Sequence, residues 1–78
     1  MIGLGSSLMS DVLKNNRIAD LRIKRDLTQQ QIADILHCQR EVYRRYEKGI
    51  RELPLSYAII LADYYRVSLD YLVGRSNQ

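Results

Sequence analysis

The sequence predicts an all-α domain of five short helices, and three observations carry that expectation. Apolar residues recur at helical spacing from about Asn16 onward, helix start and stop residues punctuate the pattern, and no convincing strand alternation or internal repeat interrupts it. With 78 residues, 46% of them hydrophobic, the chain holds one small domain with a core of its own and has no room for a second.

Met1–Leu13 mixes glycine, serine and apolar residues without clear caps. Leu4, Leu8 and Val12 can line one side of a short helix, and Met9-Ser10 offers an alternative natural start that would make Met1–Leu8 an expression scar. Residues 1–15 are therefore set apart as an N-terminal extension, 16–75 as the folded domain and 76–78 as a tail. From about Asn16, Ile18, Leu21 and the aliphatic stem of Arg25 sit at helical spacing. Arg22, Lys24 and Arg25 fall toward the C-terminal end, where the helix dipole favours cations, and this is the first helix.

Thr28 precedes Gln31 by three positions, the capping-box spacing, and Ile32, Ile35 and Leu36 follow on one face with small Ala33 between them. The second helix thus runs from about Gln29 to Leu36. His37-Cys38-Gln39 breaks the pattern. Gln39 to Lys48 resumes it with Val42, Tyr43 and Tyr46 as apolar positions, and Gly49 offers a left-handed C-cap. Leu53-Pro54 opens the fourth helix, with Leu55, Ala58, Leu61, Ala62 and Tyr65 as its core stripe. Val67-Ser68 closes it and caps a fifth, Leu69 to Val73, stopped by Gly74.

Composition excludes several functions. A single cysteine forms no internal disulfide and offers no thiolate pair for zinc, which favours a reducing, cytoplasmic home, so Cys38 is read as a small apolar packing residue. No apolar run approaches the roughly 20 residues of a membrane span, and the first ten residues lack the basic start of a secretory signal. His37 and Cys38 are neighbours in a turn rather than a spaced catalytic dyad, and no glycine-rich phosphate loop or metal-ligand cluster occurs. His37 is read as a turn residue. No enzyme activity, cofactor, metal or small-molecule ligand is expected.

The net charge of +3 is modest, but it is concentrated. Arg40, Arg44, Arg45, Lys48 and Arg51 crowd one stretch against Glu41 and Glu47, as either a solvated helix face or a phosphate-binding patch. A helix that enters the major groove must be short, start with side chains long enough to reach base edges, and carry an apolar back. The third helix meets each demand. Tyr43 and Tyr46 can face Ile32 and Leu36, leaving Arg40, Glu41, Arg44 and Arg45 outward. Arginines there can grip guanine O6 and N7, Glu41 can accept from cytosine N4, and Val42 either touches a thymine methyl or packs.

These residues resemble the Cro/C1-type helix-turn-helix proteins, also called the XRE family, to which phage repressors belong. The resemblance covers roughly Asn16 to Arg75 through LTQQQIADIL, REVYRRYEKG and LADYYRVSLDYLVGR in the expected order and spacing. It implies a compact, five-helix, lambda-repressor-like DNA-binding domain whose third helix reads the major groove. It also implies that Gln29 clamps a phosphate at the start of the second helix and braces the third. By the same resemblance Gln39 is the recognition-helix N-cap, and Arg40, Glu41 and Arg45 stand at base-reading positions. Thr28, Gln39, Lys48 and Arg51 join Gln29 in phosphate contacts, and Arg22 and Glu47 form a structural pair.

Three positions depart from the family pattern. His37 stands where glycine is usual and a positive φ is required, Gln39 replaces the commoner Ser or Thr cap, and Lys48 stands where asparagine is frequent. In the fourth helix Tyr57, Ile60 and Tyr64 make a second apolar row, extended by Tyr71, and the family usually has a polar residue in place of Ile60. The row is either a homodimer surface or a set of tyrosines with wet hydroxyls beside a scattered isoleucine. A two-fold dimer would present two third helices about 34 Å apart to a palindromic site.

The expected function is therefore that of a sequence-specific duplex-DNA regulator, a repressor, working as a dimer in the cytoplasm and at the nucleoid when bound. Two alternatives stay open: a protein-interaction module of the same fold, or the antitoxin of a toxin-antitoxin pair. The outward cations argue against the first, and the short chain without a long tail against the second.

Overall fold

A computed structural model describes residues Arg17–Gly74. The stripe of Leu4, Leu8 and Val12 lies outside them, as do residues 75–78. Within them stand five α-helices: α1 (Ile18–Lys24), α2 (Gln29–Leu36), α3 (Arg40–Glu47), α4 (Leu55–Tyr65) and α5 (Leu69–Leu72). The all-α, five-helix expectation holds, with each helix within a few residues of the span that the sequence spacing predicts.

The helix starts follow from local chemistry. At α2 the Thr28 hydroxyl accepts from the Gln31 amide at 3.0 Å, and the Gln31 side chain accepts from the Thr28 amide at 2.7 Å. Each interaction satisfies a donor that the helix cannot satisfy itself. At α5 the Ser68 hydroxyl accepts from the Tyr71 amide at 3.0 Å.

The helix ends show a pattern the sequence reading caught only in part. Each of α1 to α4 closes with paired 6→1 and 5→2 backbone bonds. In α1 these are Leu27 N–H to Arg22 C=O at 3.1 Å and Asp26 N–H to Ile23 C=O at 3.0 Å. Such a closure needs one residue in the left-handed region. Gly49 (φ 74°) supplies it for α3, but Asp26 (φ 56°), His37 (φ 59°) and Arg66 (φ 59°) supply it elsewhere without glycine's freedom. His37 was expected there; Asp26 and Arg66 were not.

The core is built from one face of every helix: Ile18 and Leu21, Ile32, Ala33 and Leu36, Tyr43 and Tyr46, Ala58, Leu61 and Tyr65, and Leu72, closed by Leu53 and Val73. One core expectation fails. Leu55 is 59% exposed, because Leu53 in the extended lead-in to α4 is the leucine buried at that end. The chain ends of the domain meet, with the Arg17 amide donating to the Leu72 carbonyl at 2.8 Å and the Arg17 guanidinium 4.4 Å from the Tyr71 ring centroid. The last turn of α1 is fastened to α4 by Arg25. Its guanidinium donates to the Tyr65 carbonyl at 2.9 Å and lies 5.3 Å from that ring's centroid. Among the described residues no helix is long and apolar enough to cross a membrane.

Candidate nucleic-acid interface

The placement of α3 decides what this surface can do. Tyr43 and Tyr46 are buried on its inner side, and the turn His37-Cys38-Gln39 sets it directly after α2. Two apolar anchors three residues apart fix the helix rotationally, so the positions between them must face outward. Arg40, Glu41 and Arg45 are exposed, as are Lys48 and Arg51 beyond the helix end, and Arg44 is half-buried.

A polar cluster locks this orientation from behind. Arg22 on α1 reaches Glu47 through Nε to Oε2 at 2.6 Å and Nη2 to Oε1 at 3.2 Å, while its Nη1 donates to the Leu27 carbonyl at 2.9 Å. Gln29, the first residue of α2, adds Nε2 to Glu47 Oε1 at 3.0 Å. One carboxylate thus receives donors from α1 and α2 and holds the end of α3. Its side chain is only 5% exposed. Burial alone would raise the Glu47 pKa, but the hydrogen bonds and charge of Arg22, aided by Gln29, outweigh it and hold the carboxyl below its ordinary range. Arg22 responds in the opposite sense, its pKa raised chiefly by the hydrogen bond to Glu47.

Tyr43 packs beneath this cluster. Burial first, and then the neighbouring Glu47 carboxylate, push its phenol far above the usual tyrosine range. Its hydroxyl is buried without a hydrogen bond of acceptable geometry, and so is that of Tyr65, whose pKa burial pushes up to about 12. Burial also raises the Cys38 thiol pKa, as suits a packing side chain rather than a nucleophile.

The withdrawal of Glu47 changes the surface charge. Between Arg40 and Arg51, five cations share the outside with Glu41 alone. Glu41 does not stand apart from them: its oxygens accept from Arg44 Nε and Nη2 at 3.1 and 2.7 Å, and Arg45 Nε lies 3.5 Å from Oε2. The hydrogen bond from Arg44, with the charges of Arg44 and Arg45, lowers the Glu41 pKa.

The remaining candidates are spread over the helix starts and α4 and α5. Gln39 has extended dihedrals at its N-cap position, yet its side chain makes no cap hydrogen bond. Thr28 is exposed beside the half-buried Gln29, and its hydroxyl, accepting in the capping box, still has its own proton to donate. Val42 is partly buried against the core. The apolar row on α4 divides. Ile60 (41%) and Tyr64 (39%) are exposed, whereas Tyr57 packs edge-on against Tyr46 at 5.9 Å and Tyr71 lies under Arg17. Leu55 and Ile59 are exposed on the same helix and were not read as surface residues, although Ile59 directly precedes Ile60 and falls outside the core spacing.

Residues 18–72, which span all five helices, match a family described as helix-turn-helix. The HTH-type transcriptional regulator AnsR of Bacillus subtilis is 35% identical over 81% of this chain and 54% of its own length. The cryptic phage CTXphi transcriptional repressor RstR of Vibrio cholerae is 36% identical over 80% of this chain and 56% of its own. The chain spans about half the length of these relatives. Among solved structures, a transcriptional regulator from Listeria innocua superposes with a TM-score of 0.73 at 29% identity, over 80% of this chain and 58% of that one.

Proposed function

Because the chain belongs to the helix-turn-helix family, with all five helices inside the matched span, we propose that it is a sequence-specific duplex-DNA-binding transcriptional regulator and not an enzyme. The observation that carries the proposal is the outward face of α3. Its apolar side is buried, its far end is locked by Arg22 and Gln29, and its other side turns Arg40, Glu41, Arg44 and Arg45 toward solvent. In this reading those four side chains contact base edges. Thr28, Gln29, Gln39, Lys48 and Arg51 hold phosphates on either side.

Phosphate contacts supply affinity and register, and base contacts supply the preference. The regulator acts as a repressor, as the name of the Vibrio cholerae relative describes that protein. It acts in the cytoplasm as a two-fold dimer on a palindromic operator, with Ile60 and Tyr64 at the centre of the pairing surface and Tyr57 and Tyr71 at its edge. The exposure of Ile60 and Tyr64 beside the buried stripe of α4 supports that surface.

The test is selection of bound duplexes from a randomised pool at two salt concentrations. Enrichment of a palindrome with half-sites about one helical turn apart is expected. Recovery of no preferred sequence, with binding lost at moderate salt, would overturn the proposal.

A further inference from the structure

Glu41 stands in the first turn of α3 and is the shared partner of both arginines that follow it on that face. Arg44 lays both prongs of its guanidinium on the two carboxylate oxygens, at 3.1 and 2.7 Å, and Arg45 Nε stands 3.5 Å from the same group. All three side chains face water, with Arg44, Arg45 and Glu41 exposed by 35%, 44% and 49%. The acid therefore lies on the very surface assigned above to DNA. Glu47, the other carboxylate of this stretch, is turned inward.

Two consequences follow from the chemistry. A guanidinium fork seated on a carboxylate is occupied in the same geometry it would use on a phosphate or on guanine O6 and N7. An exposed pair within one helix is also weak, so a competing acceptor can replace it. The carboxylate so released would stand among phosphates and base acceptors, which repel it, unless it meets a donor. In the major groove the amino donors are cytosine N4 and adenine N6.

We infer that Glu41 is a specificity-determining gate, which withholds Arg44 and Arg45 from the phosphates of an arbitrary duplex and yields them where a base amino group takes over its carboxylate. The inference rests on the DNA-binding reading above and deepens it. Discrimination then comes as much from affinity suppressed on wrong DNA as from affinity gained on the right sequence, a repulsive element alongside the attractive one.

The experiment compares the wild-type chain, Glu41→Gln and Asp20→Asn on the selected duplex and on a scrambled one, each over a salt series, after circular dichroism has confirmed the fold of each variant. Asp20 is an exposed acid in the first turn of α1, so its replacement removes the same charge from a different helix. Glu41→Gln is expected to bind scrambled DNA roughly tenfold more tightly near 0.1 M salt, with a salt slope steeper by about one. Its preference for the selected duplex falls by at least that factor, while Asp20→Asn keeps the wild-type preference. Equal shifts by both variants on both duplexes would reduce Glu41 to a general field effect and overturn the inference. So would unchanged scrambled-DNA binding by Glu41→Gln. A wild-type chain that binds neither duplex overturns the DNA-binding reading itself, an outcome distinct from failure of the gate.

Discussion

Arg22 and Glu47, 25 residues apart in the chain, meet in an ion pair of 2.6 Å that ties the last turn of α1 to the last residue of α3. Both side chains are largely withdrawn from water, at 15% and 5% exposure, and Gln29 shares the same carboxylate. A buried pair is poor evidence of net stabilisation, since its attraction must first repay desolvation. Its value here is positional, because it fixes which side of α3 faces out.

Removal of one partner should therefore be severe. Arg22→Ala strands the Glu47 carboxylate and should cost about 3–5 kcal/mol in chemical denaturation. Replacing both, Arg22→Met with Glu47→Leu, should cost less than the sum of the two single changes, since no stranded charge remains. Additive losses would show that the two side chains do not act as a pair.

The same carboxylate predicts an acid limb. Its pKa is lowered in the folded state, so it contributes stability above the ordinary glutamate value near 4.3, and that contribution is lost as pH falls through the lower folded value. Urea midpoints of the wild type should fall between pH 6 and pH 3 by more than those of Glu47→Gln, which has no such proton to take up. Equal losses in the two proteins would place the acid sensitivity elsewhere.

Arg66 ends α4 with φ 59°, a region that costs a residue bearing a Cβ about 1–2 kcal/mol. Arg66→Gly relieves that cost and offsets part of the gain with a more flexible unfolded chain, leaving an expected stabilisation of about 0.5–1 kcal/mol. Thermal melting checks this. A lower melting temperature would mean that the arginine side chain contributes more than its backbone costs.

How much of this was legible in the sequence depended on whether the cause was local. The capping box of Thr28 and Gln31 and the Ser68 cap announced their helices because a few adjacent residues suffice for each. The left-handed closures at Asp26 and Arg66 were silent, since neither residue is glycine, the usual sequence mark of such a closure. Leu55 was misassigned because helical spacing alone could not say that Leu53, outside the helix, occupies the core. On the candidate site, the outward positions of α3 followed from the tyrosine spacing. The Glu41 grip on Arg44 and Arg45 is implicit in i, i+3 and i, i+4 separation, yet each of these side chains was read as a separate base contact.

Base and phosphate contacts should separate in mutants. Arg45→Ala should reduce discrimination at one base pair by about 1–3 kcal/mol, whereas Lys48→Ala should weaken cognate and scrambled duplexes alike and flatten the salt slope by about one. Competition binding on single-base variants of the selected site tells them apart. Identical effects of the two changes on all duplexes would count against Arg45 as a base reader.

The dimer assignment is open to an equally direct check. A charge introduced by Ile60→Asp on the exposed side of α4 should yield monomers in sedimentation and should weaken binding to the full palindrome far more than to a half-site. If mass and full-site affinity stay at wild-type values, the pairing surface lies elsewhere.

The central claim is that α3 is the face that meets DNA, and amide chemical-shift mapping on a labelled protein titrated with the selected duplex tests it most directly. The largest changes are predicted at Thr28–Gln30, at Gln39–Lys48 and at Arg51, with the amides of Ala58, Leu61 and Ala62 in the core of α4 little moved. Saturable shifts centred on α4 or on the outer side of α1, with Arg40 to Lys48 undisturbed, would contradict it.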